Sequence, residues 1–158
     1  MILTTADRDI VIHDINLTLT HLFQSDTSIL ELLSSEVSYL TEETIRSFLE
    51  ANHIDFTDKS LIKEKLIDIR TQLSNAQTIR LALSFSPSSS FITILSGWFT
   101  KYFNTRYFLD IHVDPDIIGG VILINEGTYI DLSLKKKFDT YFSQNKEKIL
   151  KDMENHPN

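Results

Sequence analysis

The chain has 158 residues, 42% hydrophobic and 23% charged, which is ordinary globular usage with room for one compact domain or two small ones. It contains no cysteine, so disulfides, thiolate nucleophiles and sulfur-ligated zinc are excluded. A formal charge of -7 disfavours nucleic acid as a partner, because phosphate binding needs a basic surface.

That charge is uneven. Residues 1–77 hold six Lys/Arg against thirteen Asp/Glu, whereas residues 78–158 hold nine of each. The shift predicts two parts with different surfaces, an acidic helical region over 1–76 and a second domain over 77–158. The most apolar window, Phe91 to Phe103, contains Ser96, Gly97, Thr100 and Lys101 and falls short of the ~20 apolar residues that span a bilayer. Asp7, Arg8 and Asp9 leave the N-terminus without the apolar core of a secretion signal. A soluble protein made in the cytoplasm is expected, held at a membrane only through an anchored partner.

The first half reads as helix throughout, and residues 1–77 contain neither Gly nor Pro to contradict it. Leu17, Leu19, Leu22 and Phe23 sit near helical spacing. Ile29, Leu30, Leu32, Leu33, Val37 and Leu40 continue in a second stretch, with Asp26 or Thr27 as its expected cap. A third stretch carries Ile45, Phe48 and Leu49 and ends near Asn52. A fourth runs from about Asp58 to Asn75, capped by Thr57 or Asp58.

The period then changes. Ile79, Leu81, Leu83 and Phe85 alternate with Thr78, Arg80, Ala82 and Ser84, the two-residue repeat of a half-buried strand. Pro87 and Ser88–Ser90 supply a turn and a helix start. Phe91, Ile94, Leu95, Trp98, Tyr102 and Phe103 then fall at helical spacing. A second strand follows, with Tyr107, Leu109, Ile111 and Val113 alternating with Phe108, Asp110 and His112. Asp114-Pro115-Asp116 ends it, since proline has no N–H for a ladder. Val121–Ile124 is a third strand, Asn125-Glu126-Gly127 a hairpin turn and Thr128–Asp131 a fourth strand. A closing helix from Ser133 to Glu154 bears Leu134, Phe138, Tyr141, Phe142 and Ile149 as its apolar stripe. The predicted fold is α+β: a helical bundle, then β-α-β-β-β-α with a four-stranded mixed sheet.

Local chemistry in residues 113–138 points to shape rather than reaction. Gly119 or Gly120 is expected at a φ that other residues avoid, or where no Cβ fits. Asp131 and Ser133 stand where strand becomes helix, so their oxygens are expected to satisfy N–H groups of the first turn. The same run, VDPDIIGGVILINEGTYIDLSLKKKF, resembles the C-terminal domain of the ATP synthase delta subunit, known in mitochondria as the oligomycin-sensitivity-conferring protein. The matching elements are Asp114-Pro115, Ile117-Ile118, Gly119-Gly120, Val121–Ile124, Gly127, Asp131-Leu132-Ser133 and Leu134. The resemblance covers residues 76–145, with Leu132 where the family usually has Gly. The N-terminal half is shorter than the six-helix bundle the family carries there.

The resemblance implies a non-catalytic peripheral-stalk subunit of a proton-driven ATP synthase, at the cytoplasmic face of the cell membrane. It implies no cofactor. Its implied partners are subunit b, gripped by the C-terminal domain, and subunit alpha, met by the N-terminal helices; the membrane is reached only through the complex. A stand-alone α+β enzyme and an RNA-binding module are the rival classes. Asp7/Asp9 and Asp114/Asp116 read as solvated turn acids rather than metal ligands, with no phosphate loop beside them. His112 is expected to face outward, and no pattern joins it to Asp110 and Ser133 as a catalytic set. Lys135–Lys137 read as a solvated helix face. Trp98, Phe99, Tyr102 and Phe103 cover so wide an arc of one helix that, beyond their role in a core, they are candidate partner-binding residues.

Overall fold

The computed structural model describes residues 1–24, 28–125 and 127–155, with side chains described through residue 148 and at Lys151. Among the described residues, six helices and four strands follow the predicted order. Contacts divide the chain into two compact units, residues 1–78 with 92–110, and residues 79–91 with 111–158.

The first unit is built on α1 (Thr5–His21), α2 (Ile29–Glu36), α3 (Tyr39–Ala51) and α4 (Lys59–Ser74). Each begins at a short polar side chain. Thr4 Oγ1 accepts the Asp7 N–H at 3.1 Å while the Asp7 carboxylate accepts the Thr4 N–H at 3.2 Å, a reciprocal cap that starts α1. Ser28 and Glu31 do the same for α2. The caps expected at Asp26 or Thr27 lie outside the described residues, and Ser28 takes the role. Asp58 caps α4, accepting from the Ser60 and Leu61 N–H groups at 3.1 and 2.9 Å.

Two boundaries differ from expectation. α1 starts twelve residues before Leu17, because its buried stripe runs Val11, Asp14, Ile15, Thr18 and two polar members blur the apolar period. The stretch from Ile29 to Leu40 is two helices. Val37 is extended at φ -118° and Ser38 restarts the chain as the cap of α3. Asp14 explains that break. Though only 7% exposed, it accepts the Ser38 N–H at 2.9 Å, the Ser38 hydroxyl at 2.7 Å and the Thr41 hydroxyl at 2.7 Å. Burial alone would raise its pKa; the Thr41 and Ser38 hydrogen bonds, aided by nearby His13, outweigh it and hold the carboxyl below the usual value.

The core of this unit joins Val11, Ile15, Leu33, Ile45, Leu49, Ile62 and Leu66, all fully buried. Each such Leu or Ile contributes about 1.5–3 kcal/mol by leaving water. Residues 92–110 complete the unit. Phe108 joins the core cluster, with the Arg8 and Arg106 guanidiniums 5.8 and 5.9 Å from its ring centroid. Leu109 donates its N–H to Leu3 O at 3.0 Å, in a parallel bridge between Thr4 and Leu109. Phe108 and Leu109 are both buried, so the expected alternation, with Phe108 outward, fails where the strand is covered on both faces.

Strands β1 (Thr78–Leu83), β2 (Phe108–Val113), β3 (Val121–Asn125) and β4 (Thr128–Asp131) form one mixed sheet in the order β2-β1-β3-β4. β1 pairs antiparallel with β3, and β3 with β4. Ile79, Leu81 and Leu83 are buried as their alternation predicts, while Phe85 falls past the end of β1 and is exposed. The β3–β4 turn contains Gly127 at φ +81°; Glu126 is outside the described residues. α5 (Ser89–Phe103) fills the β1–β2 connection and α6 (Leu134–Asn155) closes the chain.

Candidate interaction surface

The junction from β2 to α6 is shaped by backbone. After β2, the Asp114 carboxylate accepts the Asp116 N–H at 3.0 Å, and Asp114 O accepts the Ile117 N–H at 3.2 Å. Pro115 sits in this turn, Ile117 is buried and Ile118 is exposed. Gly119 and Gly120 both adopt positive φ, +65° and +88°. At Gly120 a Cβ would lie 2.5 Å from Leu132 O and 2.9 Å from Ser133 Cα; at Gly119 it would meet the Leu134 side chain at 2.8 Å. Both reasons for glycine hold at Gly120; at Gly119 the leucine methyl can move aside and the positive φ carries the requirement.

That close approach seats α6. Gly119 O accepts the Leu134 N–H at 3.1 Å, one of the donors a helix start leaves unpaired. Ser133 Oγ accepts the Lys136 N–H at 3.3 Å, as expected of a cap. Asp131 acts differently from expectation. Its carboxylate accepts from Ser133 itself, with the backbone N–H at 2.9 Å, and reaches no N–H inside the helix. Ser133, through its hydroxyl and then its N–H, holds the Asp131 carboxyl below its ordinary pKa.

Beyond this seat α6 is bare. Leu134, Phe138, Tyr141 and Phe142 are 44–58% exposed. Ile149, expected on the same stripe, has no described side chain. Between the end of β4 and α6 lies a groove of about 380 Å³, lined by Asp131, Leu132, Lys136, Lys137, Thr140, Tyr141 and Gln144. Lys135 is engaged with Asp139 at 2.9 Å; Lys136 and Lys137 make no ion pair among the described residues.

α5 buries an arc other than the expected one. Ser96 and Phe99 are buried and Ile92 and Leu95 half-buried, an i, i+3, i+4, i+7 face. Ile94, Trp98, Tyr102 and Phe103 point outward, and Trp98 stands 4.6 Å from Tyr102 between ring centroids. The helix is apolar on two arcs, and its period cannot choose between them. Of the four candidate partner-binding residues, Phe99 is thus internal and Trp98, Tyr102 and Phe103 are exposed.

No reacting constellation emerges at the other singled-out positions. Asp7 is engaged in its cap and Asp9 pairs with Arg8 at 2.9 Å. His112 is exposed, as expected. Among the described residues no three His, Cys, Asp or Glu side chains converge as metal ligands, and no helix is long and apolar enough to cross a membrane. A second concavity, of about 330 Å³ in the helical unit, is lined mainly by apolar residues including Ile2, Phe48, Leu73 and Phe108, with Arg106 beside them. The groove at Leu132 and Tyr141 and this cavity had no sequence signal, because each joins residues from separate elements.

No curated protein matches the chain. The family model of the ATP synthase delta (OSCP) subunit matches residues 23–144. The match takes in α2, α3 and α4, beyond the residues 76–145 that carry the motif, and so extends over most of the acidic half. With the α+β order, the double-glycine seat of α6 and a match across most of its length, the chain belongs to the ATP synthase delta (OSCP) subunit family.

Proposed function

We propose that this chain is a non-catalytic peripheral-stalk subunit of a proton-driven ATP synthase. In this reading it links the membrane-anchored helices of subunit b to subunit alpha in the catalytic head. It works at the cytoplasmic face of the membrane and touches the bilayer only through the complex. The task is mechanical: rotation loads the head with torque, and the stalk holds it still. That work calls for extended contact surfaces and needs no reacting groups.

The observation that carries the reading is the family match over residues 23–144. Two features favour it. The acidic helical region, residues 1–76, suits basic segments of subunit alpha and would speed their association. The C-terminal domain, residues 77–158, exposes apolar side chains on α6 that suit helices of subunit b. Trp98, Tyr102 and Phe103 on α5 offer a further contact strip, with Phe99 supporting them from within. Asp114, Pro115, Gly119, Gly120, Gly127, Asp131 and Ser133 serve as shaping residues.

Native purification of the membrane ATPase tests the reading. The chain should travel with the intact complex and leave with the head when the stalk is stripped. A chain recovered wholly free of the complex would count against it.

A further inference from the structure

The cavity of the helical unit is apolar over most of its wall and charged at one point. Phe48, Ile69, Leu73 and Phe108 line it, and among the described residues Arg106 is its one charged side chain. Phe48, Leu73 and Ala76 pack against the buried core from outside and stay half-buried, so the cavity is a gap at the edge of that core. A second hollow, of about 350 Å³, adjoins it and carries Glu43 and Ser47. The two share Ile2, Thr44 and Arg106, so the guanidinium stands where apolar space meets a polar mouth.

Arg106 is held in that place. It donates to Ile2 O at 2.7 Å and lies 5.9 Å from the Phe108 ring centroid. It makes no ion pair among the described residues, and the bond to Ile2 leaves it N–H donors to spare. A guanidinium fixed by its neighbours loses little freedom on meeting a carboxylate, and its fork can donate two parallel hydrogen bonds.

We propose that this cavity binds a small amphipathic monocarboxylate. Its acyl or aryl body, of about eight to ten carbons, lies against Phe48, Leu73 and Phe108, and its carboxylate meets Arg106. Size argues against a helix as occupant. An α-helix with its side chains is about 10–12 Å across. A space of about 330 Å³ equals a sphere roughly 9 Å wide, at the lower end of the ~300–1,000 Å³ of small-molecule sites. Charge selects among anions. Glu43 at the mouth repels a second carboxylate, and residues 1–77 hold thirteen Asp/Glu against six Lys/Arg, so dicarboxylates and phosphates are disfavoured. No residue of α5 or α6 lines the site, which adds a ligand to the stalk reading and does not depend on it.

The test is titration of the full chain with octanoate, followed by nitrogen-15 NMR, with octanol as the uncharged control. Octanoate should shift the amides of Thr44, Phe48, Leu73 and Ala76 and saturate. Octanol should bind about tenfold more weakly, the loss of one charge-assisted pair. Arg106→Gln should weaken octanoate about tenfold and leave octanol unchanged. Glu43→Gln, at an exposed position, should strengthen octanoate about threefold. Ala76→Phe fills the cavity from its wall and should abolish binding of both ligands, with the melting curve checking that the variant folds.

Octanol bound as tightly as octanoate, or octanoate binding unchanged in Arg106→Gln, would overturn the proposal, leaving an apolar gap with no anion seat. Shifts confined to α5 or α6 would overturn it as well, as would the absence of saturable shifts up to about 10 mM. A peptide of subunit alpha that shifts these amides where octanoate does not would assign the cavity to a protein side chain. The proposal would then fall and the stalk reading would stand.

Discussion

The helical unit and the C-terminal unit solve opposite problems. In the first, thirteen buried apolar residues form one cluster, and even a buried carboxylate accepts three hydrogen bonds. In the second, the backbone is held tightly at Gly119-Gly120 while the side chains of α6 are left to solvent. In the first unit the helices α1 to α4 close their core among themselves with Phe108. The second has a rigid seat and an uncovered helix, which is the arrangement expected of a part that finishes folding its surface against a partner. Stability and binding should therefore separate: substitutions in the helical core should cost folding, and substitutions on α6 should cost association.

The largest expected effect is Leu66→Ala in the helical core. Leu66 is fully buried, and truncation should cost roughly 4 kcal/mol, within the usual ~2–5, in urea unfolding followed by circular dichroism. A cost below ~1 kcal/mol would break the contrast. Gly120→Val comes next, at about 2–3 kcal/mol. It combines a left-handed φ of +88° with a Cβ placed 2.5 Å from a backbone oxygen that cannot move aside. An unchanged melting temperature would show that the seat is soft.

Asp14→Asn should cost about 1–2 kcal/mol at neutral pH, because the three donors of Ser38 and Thr41 converge on one carboxylate oxygen and a neutral amide oxygen accepts them more weakly than an ionised one. The native pKa of Asp14 is depressed. Its contribution is therefore present above the unfolded aspartate value of about 3.9 and is lost as pH falls through the lower native value. The gap between wild type and Asn should close on that acid side. A gap constant with pH would mean the carboxylate charge is not what matters. Phe138→Ser should be the smallest effect, within ~0.5 kcal/mol, since the ring is 53% exposed. A cost above ~2 kcal/mol would mean that α6 is packed in solution.

Part of this contrast is legible in the sequence. Asp58 announces the start of α4 through bonds to residues two and three positions on. Alternation in Ile79, Leu81 and Leu83 announces a buried strand face. The double glycine before an apolar strand announces backbone that tolerates no Cβ. The break at Val37 is not legible, because it answers to Asp14, 24 residues away from Ser38. Nor is the inward turn of Phe108, which depends on its packing into the helical core.

What the sequence by itself determined is local: where α4 starts, where β1 alternates, where glycine is required and how charge divides between the halves. These depend on a residue and its neighbours within about one turn. What only the tertiary structure decided is which apolar residues are left over. α5 and α6 both read as amphipathic, yet the arc through Phe99 is covered and the stripe through Phe138 is not. Burial is a property of residues distant in the chain, and no local pattern encodes whether a second surface arrives to meet the first.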